Sequence, residues 1–396
     1  MTGDGDQGMA SVSNGSPTRI GTRLRLNRQA HGFSQQQIAD MAGVTRQAIS
    51  ALESGGSEPS LRVGIALSRA LGLTVEQLFG AEDIVVPVEA RQVAPLGGKG
   101  ARVTLALVGD GHVAMPLQGE TVTRSGFLPA GGLVTGTGKV GAERTTTVRP
   151  IQPPRPTLVA AGCDPALPLL EAPLALLDPP VTFTWWPCSS REALALAAEG
   201  LVHVAGIHLR GHGTEYNISP AAELLPRGGE IIGFCSWREG LALRPGLAGD
   251  VSGVADLAER GLRLANREPG AEARNLLDRE MSKAGIEPGQ LSGYDTQVTG
   301  HLQVAAAIAA GLADAGIASE PAARAYGLGF VPLAAEHFDL VIPAVYIGSR
   351  EVQGLLKILS SAWLVDQLAN LPGYDPARCG ERIATLPRRH HQPVTL

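Results

Sequence analysis

Ser34–Glu53, SQQQIADMAGVTRQAISALE, decides how the first part of this 396-residue chain folds. Ser34 followed by Gln37 is a capping box, in which each side chain satisfies a backbone N–H that the first helical turn leaves unpaired. Ile38, Ala39 and Ala42 share one face of the helix that follows, and Gly43 supplies the left-handed residue that closes it. The turn at Gly43–Val44 leads to Thr45, which caps a second helix with inward positions Thr45, Ala48, Ile49 and Leu52. Arg46, Gln47 and Ser50 then lie together on the outer face, near the helix N-terminus. An arginine fork matches guanine and a glutamine amide matches adenine in the major groove, so this pattern predicts a helix that offers its first turns to base edges.

Working outward, a preceding helix runs from about Arg19 to His31 with Arg23, Arg25 and Arg28 available for phosphates. Leu61, Ile65 and Leu71 mark a fourth helix, and Val75, Leu78 and Phe79 a fifth. Residues 19 to 80 together resemble the phage-repressor or Cro-like (XRE) helix-turn-helix family. The resemblance implies an all-α, five-helix domain that binds a double-stranded DNA operator, with Gln35 on a phosphate, Thr45 at the helix cap, and Arg46, Gln47 and Ser50 on bases. Ala51 stands where relatives often carry a longer polar reader, which implies a shorter site or one read partly through DNA shape.

Charge is segregated. The chain carries a formal −5, which argues against indiscriminate nucleic-acid binding, yet residues 19–80 hold seven Arg against four acidic residues. A basic head on an acidic body suits contact with DNA through one end. Cys163, Cys188, Cys235 and Cys379 form no C-x-x-C pair and no zinc-type spacing, and read as reduced, mostly buried thiols. No leader pattern opens the chain and no apolar run reaches membrane-spanning length, so a cytoplasmic protein without membrane contact is expected.

Residues 1–18 and 386–396 read as tails, the first Gly/Ser/Asp-rich and disordered. From 81 to 150 the period changes to two, with Val103, Leu105 and Leu107, a Gly109–Asp110–Gly111 turn, and Val113, Met115 and Leu117, so a small β-rich connector is expected. The run Pro150–Pro156 is a stiff proline-rich linker. From 151 to 385 short apolar runs alternate with helical ones, which predicts an α/β domain with a largely parallel sheet. Ala197–Ile207 and Ala309–Ile317 echo one another as helix end, Gly stop and short buried strand, suggesting two similar lobes. The chain should leave the first lobe at Ile231–Leu243 and return through Phe330–Tyr346.

VHVAGIHL (202–209), GTEYN (213–217), LRLANREPGAEARNLLD (262–278), HLQVAAAIAAGLADAGIA (301–318) and GLGFVPLAAEHFDLVIP (327–343) make this region similar to the type-2 periplasmic-binding-protein (PBP-like) superfamily, in its branch fused to helix-turn-helix heads and akin to molybdate-binding proteins. The resemblance implies a two-lobed sensor and, as effector, a molybdate-like oxyanion or a molybdenum-cofactor-related metabolite. Free N–H groups at a helix start favour anions. Three such starts are expected, at Gly162–Cys163–Asp164, Cys188–Ser189–Ser190 and Thr299–Gly300–His301, with Arg267 and Arg274 adding guanidinium forks and Tyr216 and Asn217 within reach of a cleft. Arg267 and Arg274 admit a second reading as structural partners of Glu268, Glu272 or Asp278, Ser189 and Ser190 as plain caps, His203 and His208 as core histidines, and Trp185 and Trp186 as core packing. Relatives tend to show Gly-Ser-Gly-Thr-Arg where this chain has Gly270-Ala271-Glu272-Ala273-Arg274, which weakens an oxyanion cradle.

No nucleophile motif, phosphate loop or H-E-x-x-H occurs, so neither catalytic nor metal-ligating residues are assigned. The expectation is a homodimeric, ligand-responsive transcription regulator needing no cofactor. Two other readings stay open: an enzyme on the two-lobed scaffold, targeted by its DNA-binding head, and a ligand-free dimerisation scaffold.

Overall fold

The computed structural model describes residues 19–79, 86–119, 121–122, 126–140, 143–151, 155–211 and 216–388. The expected N-terminal tail, most of the C-terminal one, and Gly213–Glu215 of the GTEYN stretch lie outside them. The chain divides into two compact units, split after Val85.

The first unit is five helices: α1 (Arg19–Ala30), α2 (Gln35–Ala42), α3 (Arg46–Ser54), α4 (Leu61–Ala70) and α5 (Val75–Phe79). Both halves of the capping box at Ser34 are made, and Gly43 closes α2 at φ 67°. Thr45 caps α3 by accepting from the Ala48 N–H. Leu24, Ile38, Ala39, Ile49, Leu52, Leu67, Leu71 and Leu78 form the core. Two expected inward residues face outward instead: Thr45 is exposed, its hydroxyl held at the cap, and Leu61, in the first turn of α4, is 75% exposed because Leu67 and Leu71 supply the packing face. Arg28 and Glu53 join α1 to α3 as a buried ion pair at 2.6 Å.

The second unit begins with a closed five-stranded barrel, ordered β1 (Val88–Gln92), β3 (Gly111–Pro116), β2 (Arg102–Val108), β4 (Gly132–Val140) and β5 (Glu143–Pro150). Val103 and Leu105 fill it, while Ala106 and Val108 point the other way into a core shared with the helix Ser190–Ala198. Leu107, expected beside Val103 and Leu105, is 36% exposed. The barrel is thus packed onto the α/β region.

That region has a sheet ordered β12 (Ala315–Ser319), β9 (Gly229–Leu243), β13 (Gly329–Pro343), β8 (Val204–Ile207), β6 (Thr157–Ala161) and β7 (Thr182–Trp186), with β14 (Arg382–Leu386) also on β9, while β10 (Asn266–Arg267) and β11 (Gln297–Val298) pair separately. The sheet is mixed rather than largely parallel, because β9 and β13 pair antiparallel with all their neighbours and β6 alone pairs parallel, with β7 and β8. Leu386, expected to open the tail, is the buried last residue of β14 and pairs with Gly229. Strands β9 and β13, 15 residues each, run antiparallel through both lobes. One end of the pair meets β8 and the cores around Phe234 and Phe338; the other meets β12 and the cores around Leu241 and Ala242. The pairing slips at Pro332/Ala334 and again at Phe338/Asp339, where the ribbon passes from lobe to lobe. The two echoing stretches end their helices at Ala198 and Ala309 and feed β8 and β12, one in each lobe.

Candidate functional site

Two surfaces carry the chemistry. On the first unit, Arg46, Gln47 and Ser50 are exposed on α3, which begins at Arg46, and Thr45 is exposed at its cap. Charge and amide groups at the open end of a rigid helix can enter a major groove without rearrangement. Gln35 has a partner within the head as well: its amide donates to Glu53 Oε2 at 2.8 Å, completing a network in which Arg28 Nε and Nη2 hold the same carboxylate and Arg28 Nη1 bonds the Phe33 carbonyl. Burial pushes the Glu53 carboxyl up, but the bonds from Arg28 and Gln35 outweigh this and bring it below its ordinary value.

The second surface is a cavity of about 240 Å³ between the lobes. Cys163, Trp185 and Cys188 line it from one lobe; Arg267, Thr299, Gly300, His301 and Tyr326 line it from the other. It falls below the roughly 300–1,000 Å³ common for organic-ligand sites, so it suits a small occupant. Gly300, at φ 88°, is the N-cap of the helix His301–Ala309 and offers no side chain to that helix's first turn. Arg267 is almost wholly buried, and its Nε and Nη2 form a fork on Glu268 at 2.8 and 2.9 Å. Burial alone would lower the guanidinium, but Glu268 raises it, so the positive charge is retained and largely neutralised by its neighbour.

Behind this cavity, where β9 and β13 cross, lies a set of buried polar residues. His208 follows β8, Glu239 is on β9 and Glu336 on β13, and ligand-type atoms of all three lie within 4.8 Å of one another. His208 also lies that close to Cys163 and His301. His208 Nδ1 and the four carboxylate oxygens have no hydrogen-bond partner among the described residues. Burial works against a charged His208, yet Cys163, Glu336 and Glu239 outweigh it and hold the imidazole well above its usual value. Burial raises Glu239 to about 7. His301 is pushed well below the usual range by burial, Arg267 and His208. His301 Nδ1 accepts from the Ser319 N–H at 3.2 Å, so its Nε2 carries the proton of the neutral ring.

The helix-turn-helix family model matches residues 24–78, and the PBP superfamily domain model matches residues 172–360. An uncharacterized HTH-type transcriptional regulator of Methanocaldococcus jannaschii is 34% identical over 61 residues, which are 15% of this chain and 92% of that protein. The chain belongs to the HTH-type transcriptional regulators. Uncharacterized protein YvgK of Bacillus subtilis is 28% identical to the regulator over 235 residues, 58% of this chain and 74% of YvgK. The effector-binding domain of QuiR in complex with shikimate matches 51% of the chain and 93% of its own, at 11% identity and a TM-score of 0.39. The regulator therefore joins an XRE-type DNA-binding head to a PBP-like sensor, an architecture of binding rather than catalysis. Among the described residues no helix is long and apolar enough to cross a membrane.

Of the nine expected ligand residues, the regulator brings Cys163, Arg267, Thr299 and His301 to one cavity. Five lie elsewhere. Ser189 caps its helix through the Glu192 N–H, and Ser190 Oγ accepts from the His208 N–H. The Tyr216 hydroxyl donates to the Ala335 carbonyl. Asn217 is buried among Leu209, His337 and Asp339. Arg274 donates to the Arg267 carbonyl and stacks on Tyr294, a structural role. The Gly162 loop opens into a 3-10 turn, Leu167–Leu170, rather than an α-helix, because Asp164 turns back to accept from the Ala166 N–H. His203 is a core histidine whose Nδ1 accepts from the Val159 N–H.

Cys188 enters the cavity from one of the three expected helix starts and Trp185, read as core packing, lines it too, while Tyr326 in the cavity, and Glu239 and Glu336 behind it, were not expected. The available signal was a carboxylate inside each of two long apolar strand runs, IIGFCSWREGLAL and GFVPLAAEHFDLVIP.

Proposed function

We propose that the sensor takes a small anion, an oxyanion or a short carboxylate, in the cavity between its lobes. The observation that carries this reading is the convergence of the Gly300 helix start with Arg267 at a cavity too small for a bulky organic molecule. His301 Nε2–H adds a hydrogen-bond donor near the same place. A bound anion would compete with Glu268 for one edge of the Arg267 fork, so its affinity depends on loosening that pair. Molybdate and tungstate are the first candidates by the sequence resemblance, and Glu268 and Glu272 weigh against a bare, tightly held dianion.

The ligand would bridge the lobes, stabilise the closed form, and so couple to a cytoplasmic homodimer's grip on an operator. A coupling of about 1–3 kcal/mol suffices for a five- to hundredfold response.

The test is a thermal-shift and calorimetric screen of the full chain against molybdate, tungstate, sulfate, phosphate and short carboxylates. The expected result is saturable stabilisation by one of them, reduced at least tenfold in affinity in Arg267→Gln, without consumption of the ligand. Turnover would instead favour an enzyme. No shift with any anion sinks the reading and leaves a dimerisation scaffold.

A further inference from the structure

We infer that His208, Glu239 and Glu336 form a binding site for a divalent transition-metal ion of the zinc class, at the crossing of the two interlobe strands. Three observations carry it.

The first is burial without hydrogen bonds. Glu239 and Glu336 are fully inaccessible and His208 is 2% exposed, yet His208 Nδ1 and all four carboxylate oxygens lack hydrogen bonds. Glu336 has only loose ion pairs, with His208 at 3.6 Å and Arg210 at 3.8 Å, and carboxylates without hydrogen bonds in a dry interior are costly, a cost that a cation removes directly. Elsewhere in the same lobe burial is handled differently: the Asp164 carboxylate accepts from the Ala166 N–H, Trp237 Nε1 and the Tyr374 hydroxyl.

The second is spacing. His208 Nδ1 lies 3.6 Å from Glu336 Oε2, too far for a hydrogen bond. Two ligands at about 2.1 Å from one zinc-class ion, at the tetrahedral angle, stand about 3.4 Å apart. No hydrogen bond joins the two carboxyls. Arg210 Nε, at 3.8 Å from Glu336 Oε1, is the nearest guanidinium on that side and is itself partly exposed.

The third is donor type. One imidazole and two carboxylates, in a site closed to solvent, offer too few oxygens for calcium and no room for the waters magnesium keeps. Imidazole with carboxylate suits zinc, cobalt or manganese, and the Cys163 sulfur within 4.8 Å of His208 favours the softer of these. The ion would tie His208 of one lobe to both crossing strands, beside the anion cavity. This inference does not rest on the anion: a chain that binds metal and no anion keeps it and loses the preceding proposal.

The experiment uses the full chain, stripped with a chelator and titrated with Co²⁺ and Zn²⁺ by calorimetry and visible absorption. Expected are one ion per chain, Co²⁺ bands of a low-coordinate site, and at least a hundredfold loss of affinity in Glu336→Gln and in Glu239→Gln, whose folded state is checked by circular dichroism. Absence of stoichiometric binding overturns the site. Binding that persists unweakened in Glu239→Gln, Glu336→Gln and His208→Gln overturns it equally, by placing the ion elsewhere.

Discussion

The two units bury ionisable groups in opposite ways. In the DNA-binding head, Arg28 and Glu53 are buried and fully engaged: the guanidinium forks onto the carboxylate and bonds the Phe33 carbonyl, and Gln35 takes what remains. In the sensor, Glu239, Glu336 and His208 are buried just as deeply, yet the four carboxylate oxygens and His208 Nδ1 have no hydrogen bond among the described residues and Glu336 has only loose ion pairs at 3.6 and 3.8 Å. Burial with every partner present is architecture, because removing any member leaves an uncompensated charge. Burial without partners is an invitation to something that is not part of the chain.

The largest test of this contrast is Glu53→Ala. It leaves the Arg28 guanidinium buried with little besides one carbonyl, and should cost about 3–5 kcal/mol in chemical unfolding of the head. The pair also makes the head acid-sensitive. Glu53 is held below its ordinary value in the folded state, so its stabilisation is complete above a carboxylate's usual pKa of about 4.3 and disappears as pH falls through the lowered one. Unfolding followed from pH 6 to 3 should show that slope, and Glu53→Gln should flatten it.

Next in size comes the exposed chemistry. Arg46→Ala or Gln47→Ala should weaken binding to the specific operator by about 1–3 kcal/mol while leaving the melting temperature alone. Equal loss on random DNA would mean that these residues hold phosphates rather than read bases.

Glu336→Gln inverts the first result. In metal-free protein it removes a buried charge that no hydrogen bond holds and that only loose pairs with His208 and Arg210 offset, so the sensor should melt at the same temperature or higher, a gain on the order of 1 kcal/mol. A fall as large as that of Glu53→Ala would show that Glu336 is architectural and erase the contrast.

The smallest effect expected is that of Ser189→Ala. As a cap, Ser189 should contribute about 1 kcal/mol to stability and nothing to anion affinity. A drop in affinity at unchanged stability would return it to the ligand set.

The head was legible because its signals are local: the capping box, the Gly43 stop and the i, i+3, i+4 face of α3 are written within twenty residues of one another. Even there the bond from Gln35 to Glu53 was not legible, since the two lie 18 positions apart and only packing brings them together. The sensor's strands and its two echoing helix-to-strand units were legible from apolar periodicity. Its site was legible only in part, because a cleft is a meeting of remote segments. Cys163, Arg267, Thr299 and His301 come from three of them, and helix-start chemistry pointed to all but Arg267. The same chemistry misled at Ser189 and Ser190, where the hydroxyls are consumed by the helix cap and by the His208 N–H. Arg267 met its bland reading as well, with the adjacent Glu268 on its fork while it still lines the cavity.

The ribbon that joins the lobes has a mechanical consequence. Where two domains are linked by loops, a rotation is absorbed by a few free dihedrals. Here the link is a hydrogen-bonded pair of 15-residue strands, so opening must bend the pair like a leaf spring. Bending will concentrate where the ladder is interrupted, at Leu333 on β13 and Phe234 on β9, one on each side of Glu336. Such a joint has a restoring force, a narrow angular range and no segment to fold or unfold. The regulator's response should accordingly be a small, fast, reversible flexure.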